Sequence, residues 1–276
     1  MPDLDKSHPS TQQIAEEAFA LLGSGRQSPA FSSLHPGFTV AAAYEVVEII
    51  RQKREVRGET PVGRKIGFTN TTLWDRYGVS GPIWNYMYDG TLHDLAATGA
   101  TFALAGLPEP RIEPEIVLHL SHAPDSGMDD KALLGCIDWI AHGFEIVQSV
   151  FPAWKFTAAD AIAAFGLHGA LLLGERQAIG ADSPRWLGAL AAFDIELACD
   201  GQAIAQGHAR NVLGGPLQAL RFLLQDLERT PASPGLQAGE IITTGTLTDA
   251  MPAHAGDCWT TRFSGIDLPG GKVTFT

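Results

Sequence analysis

Glu113 and Glu115 stand two residues apart in "RIEPEIVLHL" (111–120), a run that otherwise has the apolar content of a buried strand. A strand alternates its side chains between two faces, so both carboxylates point the same way. Like charges this close repel, and burial raises the cost, so a positive group is expected between them. A hard divalent cation such as Mg²⁺ or Mn²⁺ meets that need, because it prefers oxygen ligands and completes its shell with water or substrate. The third ligand on offer is Glu145, an isolated acid in the apolar run "GFEIVQS". Its place after His142 and Gly143 reads as the start of a strand that follows a helix, aimed at one end of a sheet. The same E-x-E spacing also suits a solvated strand face, where polar and apolar residues alternate. Beyond Glu115 that alternation stops, since four of the next five residues are apolar.

The elements that must carry these acids follow from periodicity and punctuation. Two helical stretches open the chain: "STQQIAEEAFALLGSG" runs from a Ser/Thr cap to closing glycines, and "FTVAAAYEVVEIIRQKREVRGE" follows a Thr39 cap with Val40, Tyr44, Val47 and Ile50 at helical spacing. From about residue 61, short apolar runs bounded by Gly and Pro take over, among them "VGRKIGFT", "PEIVLHL", "FEIVQSVF", "GALLLG", "FDIELACDG", "EIITTGTLT", "CWTTRF" and "KVTFT", which read as strands. Two more helices are expected, "DDKALLGCIDWIAHG" with Leu133, Leu134, Ile137 and Ile140 on one stripe, and "GGPLQALRFLLQDLER" with Pro216 in its first turn. The expectation is an α+β protein, with a helical N-terminal region over 1–60 and a β-rich catalytic domain over 61–276.

Composition narrows the partners. A chain of 276 residues, 45% hydrophobic, can bury a full core. The net charge of −12, with basic residues gathered only at Arg51, Lys53, Arg54 and Arg57, argues against nucleic acid. No run reaches the roughly 18 to 20 apolar residues of a membrane span, and "MPDLDKSHPS" is unlike a signal peptide, so a cytoplasmic protein with no membrane partner is expected. Cys136, Cys199 and Cys258, odd in number and widely spaced, read as core thiols.

In order along the chain, "VGRKIGFT" (62–69), Asp89, "PRIEPEIVLHL", "FEIVQS", the Asp160 region and "GEIITTGTLTDAMPAHAGD" (239–257) resemble the 2-keto-4-pentenoate hydratase and 4-oxalocrotonate decarboxylase branch of the fumarylacetoacetate hydrolase superfamily. The resemblance covers roughly residues 10–276. It implies a β-rich, roll-like core preceded by helices, and Mg²⁺ or Mn²⁺ held by Glu113, Glu115 and Glu145. It also implies a homo-oligomer, with a decamer as one form. The family's motif lysine falls on Lys65 and an acid of the next segment on Asp89, both expected to be catalytic. Arg64 stands where several relatives carry a histidine, and with Asp160 and Thr246 it is expected to bind substrate. The segment from Asp160 to Gly174 is longer than its counterpart in heptenedioate hydratases and places His168 in the added part, which implies a different substrate tail.

The chemistry this implies is that of a 2-oxo acid chelated through its carboxylate and 2-oxo oxygens, so that the metal stabilises an enolate. Hydration of a 2-hydroxy-2,4-dienoate and decarboxylation of a 2-oxo-hexenedioate both pass through that enolate. A second basic residue facing the tail would favour the dicarboxylate, and Arg64, Arg76 and Lys155 are the candidates. Hydrolysis of acylpyruvates is a more distant reading: the His and Glu pair of the superfamily's hydrolases has no counterpart at His35, where Phe38 occupies the position a glutamate would need. His142 and His168 are expected to satisfy local backbone groups. A non-catalytic partner subunit of the same fold is the reading from another class, and the intact set of Lys65 and three acids counts against it.

Overall fold

The computed structural model describes residues 10–71, 74, 79–180, 183–230 and 232–276. Helix α1 (Thr11–Leu21) begins where Ser10 accepts from Gln13 N, and α3 (Val40–Val56) begins where Thr39 accepts from Ala42 N. A single helical turn, α2 (Phe31–Leu34), lies between them. Each side-chain cap satisfies a backbone N–H that has no partner inside the helix.

Eight strands form the larger sheet: β1 (Pro61–Gly67), β2 (Ile83–Tyr88), β3 (Leu92–Asp94), β5 (Arg111–Leu120), β6 (Ile137–Val147), β7 (His168–Ala178), β10 (Ile241–Thr243) and β11 (Met251–Pro252). Their order is β2-β1-β10-β5-β6-β7-β3, with β11 also paired to β5, and the sheet curls into a half-barrel. A second sheet has the order β4-β13-β12-β8-β9, from β4 (Thr101–Phe102), β8 (Asp194–Cys199), β9 (Gln202–His208), β12 (Cys258–Ser264) and β13 (Lys272–Phe275). The expected α+β class with a β-rich, roll-like core is what the chain adopts.

The two faces of β5 divide the labour. Its even-numbered Ile112, Ile116, Leu118 and Leu120 are fully buried in the apolar cores. Ile14, Phe31 and Val46 of the N-terminal helices share one of these cores with Trp84 and Tyr86 of β2, so residue 60 marks a change of texture and no break in packing. The odd-numbered Arg111, Glu113 and Glu115 share the other face, as period-two alternation requires.

One helix expectation is corrected. Helix α4 (Asp130–Gly135), capped by Asp129, stops after Leu133 and Leu134 enter the core, and from Ile137 the chain is strand β6. Most of β6 is buried between β5 and β7. A strand buried on both faces shows no alternation, so Ile137 and Ile140 continued the helical stripe by coincidence. Glu145 therefore lies inside a long strand in mid-sheet, and does not start one. Helix α5 (Ala158–Ala163) carries Asp160 in its first turn, α6 (Ser183–Ala192) was not anticipated, and α7 (Pro216–Glu228) carries Pro216 at its start as expected. Among the described residues no helix is long and apolar enough to cross a membrane.

A candidate metal centre and its cavity

Register brings the three acids together. Glu113 of β5 is directly opposite Glu145 of β6, and Glu115 is opposite Gly143. Residues opposite each other across an antiparallel pair project to the same face. One carboxylate oxygen from each of Glu113, Glu115 and Glu145 lies within 4.8 Å of the others. Lys65 joins them through a second chain of register: it pairs with Thr243 of β10, which pairs with Val117, two residues beyond Glu115. Its Nζ is 3.2 Å from Glu145 Oε2 and donates to Gly166 O at 3.0 Å.

Close backbone approach completes the cluster at two glycines. Gly245 N donates to Glu115 Oε2 at 2.7 Å; its φ is +94°, and a Cβ there would lie 1.8 Å from Thr69 Oγ1. Gly166, which presents its carbonyl to Lys65, has φ +61° between Phe165 at +62° and Leu167 at +64°. Left-handed backbone at a bulky residue is costly and persists where its surroundings impose it. A Cβ on Gly166 would meet Asn85 Cβ at 2.9 Å and Lys65 Cδ at 3.0 Å.

The electrostatics are those of a site short of positive charge. Glu115 and Glu145 are fully buried and Glu113 is half-buried. Burial pushes Glu113 up to about 7, with Lys65 opposing the rise and Glu145 adding to it. Burial, Glu145 and Glu113 hold Glu115 well above the usual carboxylate range. Burial would raise Glu145 too, but Lys65 and His168 pull it down to about 2. Burial alone would lower Lys65; the three acids outweigh it and the ammonium is favoured. Glu115 Oε1 is buried with no hydrogen-bond donor, and the buried Glu145 Oε2 meets only the Lys65 ammonium, at 3.2 Å. A bare carboxylate oxygen, a second one met only by an ammonium, and a third acid are a donor set that a hard divalent cation uses, and the residues present fit such an ion. A second acidic group, Cys199, Asp200 and Asp257 on the smaller sheet, has its carboxylates engaged by Cys258 N and His254 N.

A cavity of about 240 Å³ opens onto the cluster. Lys65 and Glu113 line it together with Thr246, Arg111 and an aromatic wall of Phe68, Trp154 and Phe156. Trp154 is itself left-handed at φ +56°, and the Arg111 guanidinium stacks on its ring at 4.1 Å. Arg111 was missed by the sequence reading, although its i, i+2, i+4 relation to Glu113 and Glu115 puts it on their face.

Three of the other expected site residues are placed elsewhere. Arg64 points to the opposite face of β1 from Lys65, where it pairs with Glu240 at 2.7 Å and stacks on Tyr86 at 3.8 Å. Asp89 is exposed and accepts from Thr60 N and Gly90 N in a turn, away from the cavity lining. Asp160 is wholly buried, and its carboxylate accepts from Ser32 N, Ser32 Oγ, Thr157 N and Thr157 Oγ1, which ties α5 to α2, outside the cavity lining. Asp160→Ala is therefore expected to lower stability by about 2–4 kcal/mol, as a lost cap with stranded buried donors does. Its kcat/KM per folded molecule should stay near wild type; denaturant unfolding beside an activity assay checks both. Thr246 does line the cavity, with its hydroxyl donated to Thr248 O.

Lys155 is exposed, and Arg76 lies outside the described residues. His35 pairs with Glu17 at 2.9 Å and does not line the cavity. His142 behaves as expected, bonding Glu115 O through Nδ1, and burial holds it down at about 4. His168 does not: its Nδ1 is 2.7 Å from Glu145 Oε1, inside the cluster. Of the three cysteines, Cys136 is buried, Cys199 and Cys258 are half-buried, and all are free.

No protein-family model matches the chain. Among curated proteins it is similar to a 2-hydroxyhexa-2,4-dienoate hydratase of Comamonas testosteroni, 30% identical over 254 residues and 92% of each chain. It is also similar to a 4-oxalocrotonate decarboxylase of Pseudomonas sp. (strain CF600), 28% identical over 241 residues, 86% of this chain and 87% of that one. Among solved structures it superposes on a 4-oxalocrotonate decarboxylase from Pseudomonas putida G7, complexed with magnesium and adipate, with TM-score 0.86 and 23% identity over 96% and 97% of the two chains. A putative fumarylacetoacetate isomerase/hydrolase from Oleispira antarctica matches with TM-score 0.56 and 18% identity, over 78% of this chain and 94% of that one.

Proposed function

The chain belongs to the 2-keto-4-pentenoate hydratase and 4-oxalocrotonate decarboxylase branch of the fumarylacetoacetate hydrolase superfamily, and from that premise we propose that it is a divalent-metal-dependent lyase that hydrates a 2-hydroxy-2,4-dienoate to a 4-hydroxy-2-oxo acid. The observation that carries this reading is the three-acid cluster, with Glu115 Oε1 bare and Glu145 Oε2 met only by the Lys65 ammonium, at the floor of a cavity. Glu113, Glu115 and Glu145 would hold Mg²⁺ or Mn²⁺, which when bound supplies Lewis-acid polarisation of a 2-oxo acid. Lys65, fixed by Gly166 O and Glu145, presents a proton and a positive charge where the substrate's carboxylate and dienol would lie. Ketonisation moves the dienol proton to the terminal carbon; water then adds across the remaining double bond, hydroxyl to C4 and hydrogen to C3. The aromatic wall would offer the tail an apolar surface.

Arg111 favours a second reading. A guanidinium on the cavity wall suits the distal carboxylate of a 2-oxo-hexenedioate, and with it decarboxylation. The test is the ultraviolet decay of freshly generated 2-hydroxypenta-2,4-dienoate, with Mg²⁺ or Mn²⁺ against chelator, and identification of 4-hydroxy-2-oxopentanoate. Metal-dependent decay to that product supports the hydratase. No decay, with CO₂ released from 2-oxo-hex-3-enedioate, replaces it by the decarboxylase.

The cluster also sets a pH dependence. A ligand must be deprotonated to bind metal, and Glu113 keeps its proton up to about 7 in the metal-free protein. Apparent Mn²⁺ affinity should rise with pH, by at least about fivefold from pH 6 to 7 for one displaced proton, and Glu115, which burial and its neighbours also raise, should add to the rise. In the same metal-free protein the raised acid contributes stability that is full below its ordinary value of 4.5 and lost as pH climbs through about 7. Calorimetric titration across pH 6 to 8 checks the sign; a flat affinity would contradict it.

A further inference from the structure

The two fully buried acids are held alike. Glu115 gives Oε2 to Gly245 N–H at 2.7 Å and leaves Oε1 bare; Glu145 gives Oε1 to His168 Nδ1 at 2.7 Å and leaves Oε2 to the Lys65 ammonium alone, at 3.2 Å. A donor on one oxygen fixes the carboxylate's rotation and withholds that oxygen from any cation. For Glu115 the donor is backbone; for Glu145 it is a side chain.

His168 is itself fixed. The Glu145 carboxylate only accepts, so the neutral ring carries its one N–H on Nδ1, and Nε2 accepts from Thr91 Oγ1–H at 3.0 Å. That contact keeps the proton off Nε2 and so on Nδ1, where it meets Glu145. A β-bulge puts the ring on this face: the register between β6 and β7 shifts at Ile146/Val147, so that His168 pairs with Val147, which shares a face with Glu145. Without the shift, His168 would fall to the other side. Bulges beside functional sites commonly re-aim a side chain in this way.

We infer that His168 is a positioning residue of the metal centre, one that orients Glu145 as a single-oxygen ligand and is in turn seated by Thr91. The inference rests on reading Glu145 as a cation ligand. It concerns the residue behind that ligand, as outer-shell partners of metal ligands do elsewhere.

The test is Mn²⁺ binding to the full chain by calorimetry and by the electron paramagnetic resonance of free Mn²⁺, with no substrate present. His168→Leu, which keeps bulk without a donor, should weaken Mn²⁺ binding about 10- to 100-fold. His168→Asn, with an amide N–H near the place of Nδ1, should restore most of it, a rescue that a space-filling role would not give. Thr91→Val, which leaves the ring in place and frees Nε2, should fall between wild type and His168→Leu. A folded His168→Leu that binds Mn²⁺ like wild type overturns the inference. Should His168→Leu fail to fold, unchanged affinity in Thr91→Val overturns it equally. Wild-type protein that binds no Mn²⁺ at all overturns the ligand reading together with it.

Discussion

Replacing Lys65 with Met should abolish turnover while leaving Mn²⁺ bound, and bound more tightly than in wild type. Lys65 is 2% exposed, and its ammonium touches only Glu145 and Gly166 O among the contacts described above. Loss of a group that moves a proton or faces developing charge costs about 10²- to 10⁴-fold in rate. The same ammonium competes with a cation for Glu145, so its removal relieves a repulsion at the ion's place. Without metal the variant leaves three acids uncompensated, and breaking a buried pair in this way costs about 3–5 kcal/mol. The expected signature is a low Tm in chelator, a large Tm gain with Mn²⁺, and no dienoate decay. Turnover within tenfold of wild type would remove Lys65 from the chemistry.

Glu115→Gln should give the reverse pattern in stability with the same loss of activity. The amide keeps an oxygen for Gly245 N–H but brings no charge to the bare position at Oε1. Activity should fall about a hundredfold or more, the scale seen when one preorganised electrostatic contact is removed. In chelator the variant should be more stable than wild type by about 1–2 kcal/mol, because the amide carries no cost of holding an acid buried beside two others. Wild type should gain stability as Mn²⁺ rises above its dissociation constant, by about 2.7 kcal/mol at a hundredfold excess; the variant should gain little. Thermal unfolding with and without Mn²⁺ separates these cases, and a variant that keeps both activity and the metal-dependent gain would remove Glu115 from the ligand set.

What the sequence revealed of this site follows its short-range geometry. Period two put Glu113 and Glu115 on one face, and the same rule would have told that Arg111 joins them and that the adjacent Arg64 and Lys65 cannot both face one site. The T-x-x-D pattern of Thr157 and Asp160 is a helix-capping signature, and the buried carboxylate is spent on it. Asp89 before Gly90 is likewise the acid of a turn. The misread stretch at 137–143 hid Glu145's true setting, because a strand buried on both faces carries no alternation to read. His168 was out of reach for a different reason: its face depends on a bulge at Ile146/Val147, which only the pairing of two strands defines.

The floor and the wall of the cavity belong to different kinds of chain. Strands β1, β5 and β6 carry the floor, locked by sheet register, whereas Trp154 of the wall sits on a left-handed turn outside it, apart from the Gly166 turn that seats Lys65. Substitutions along the Trp154 turn should therefore reshape the room offered to a substrate tail while the register that gathers Lys65 and the acids stays unchanged. A lineage or a designer could vary the choice of tail through those few loop residues and inherit the acid cluster intact.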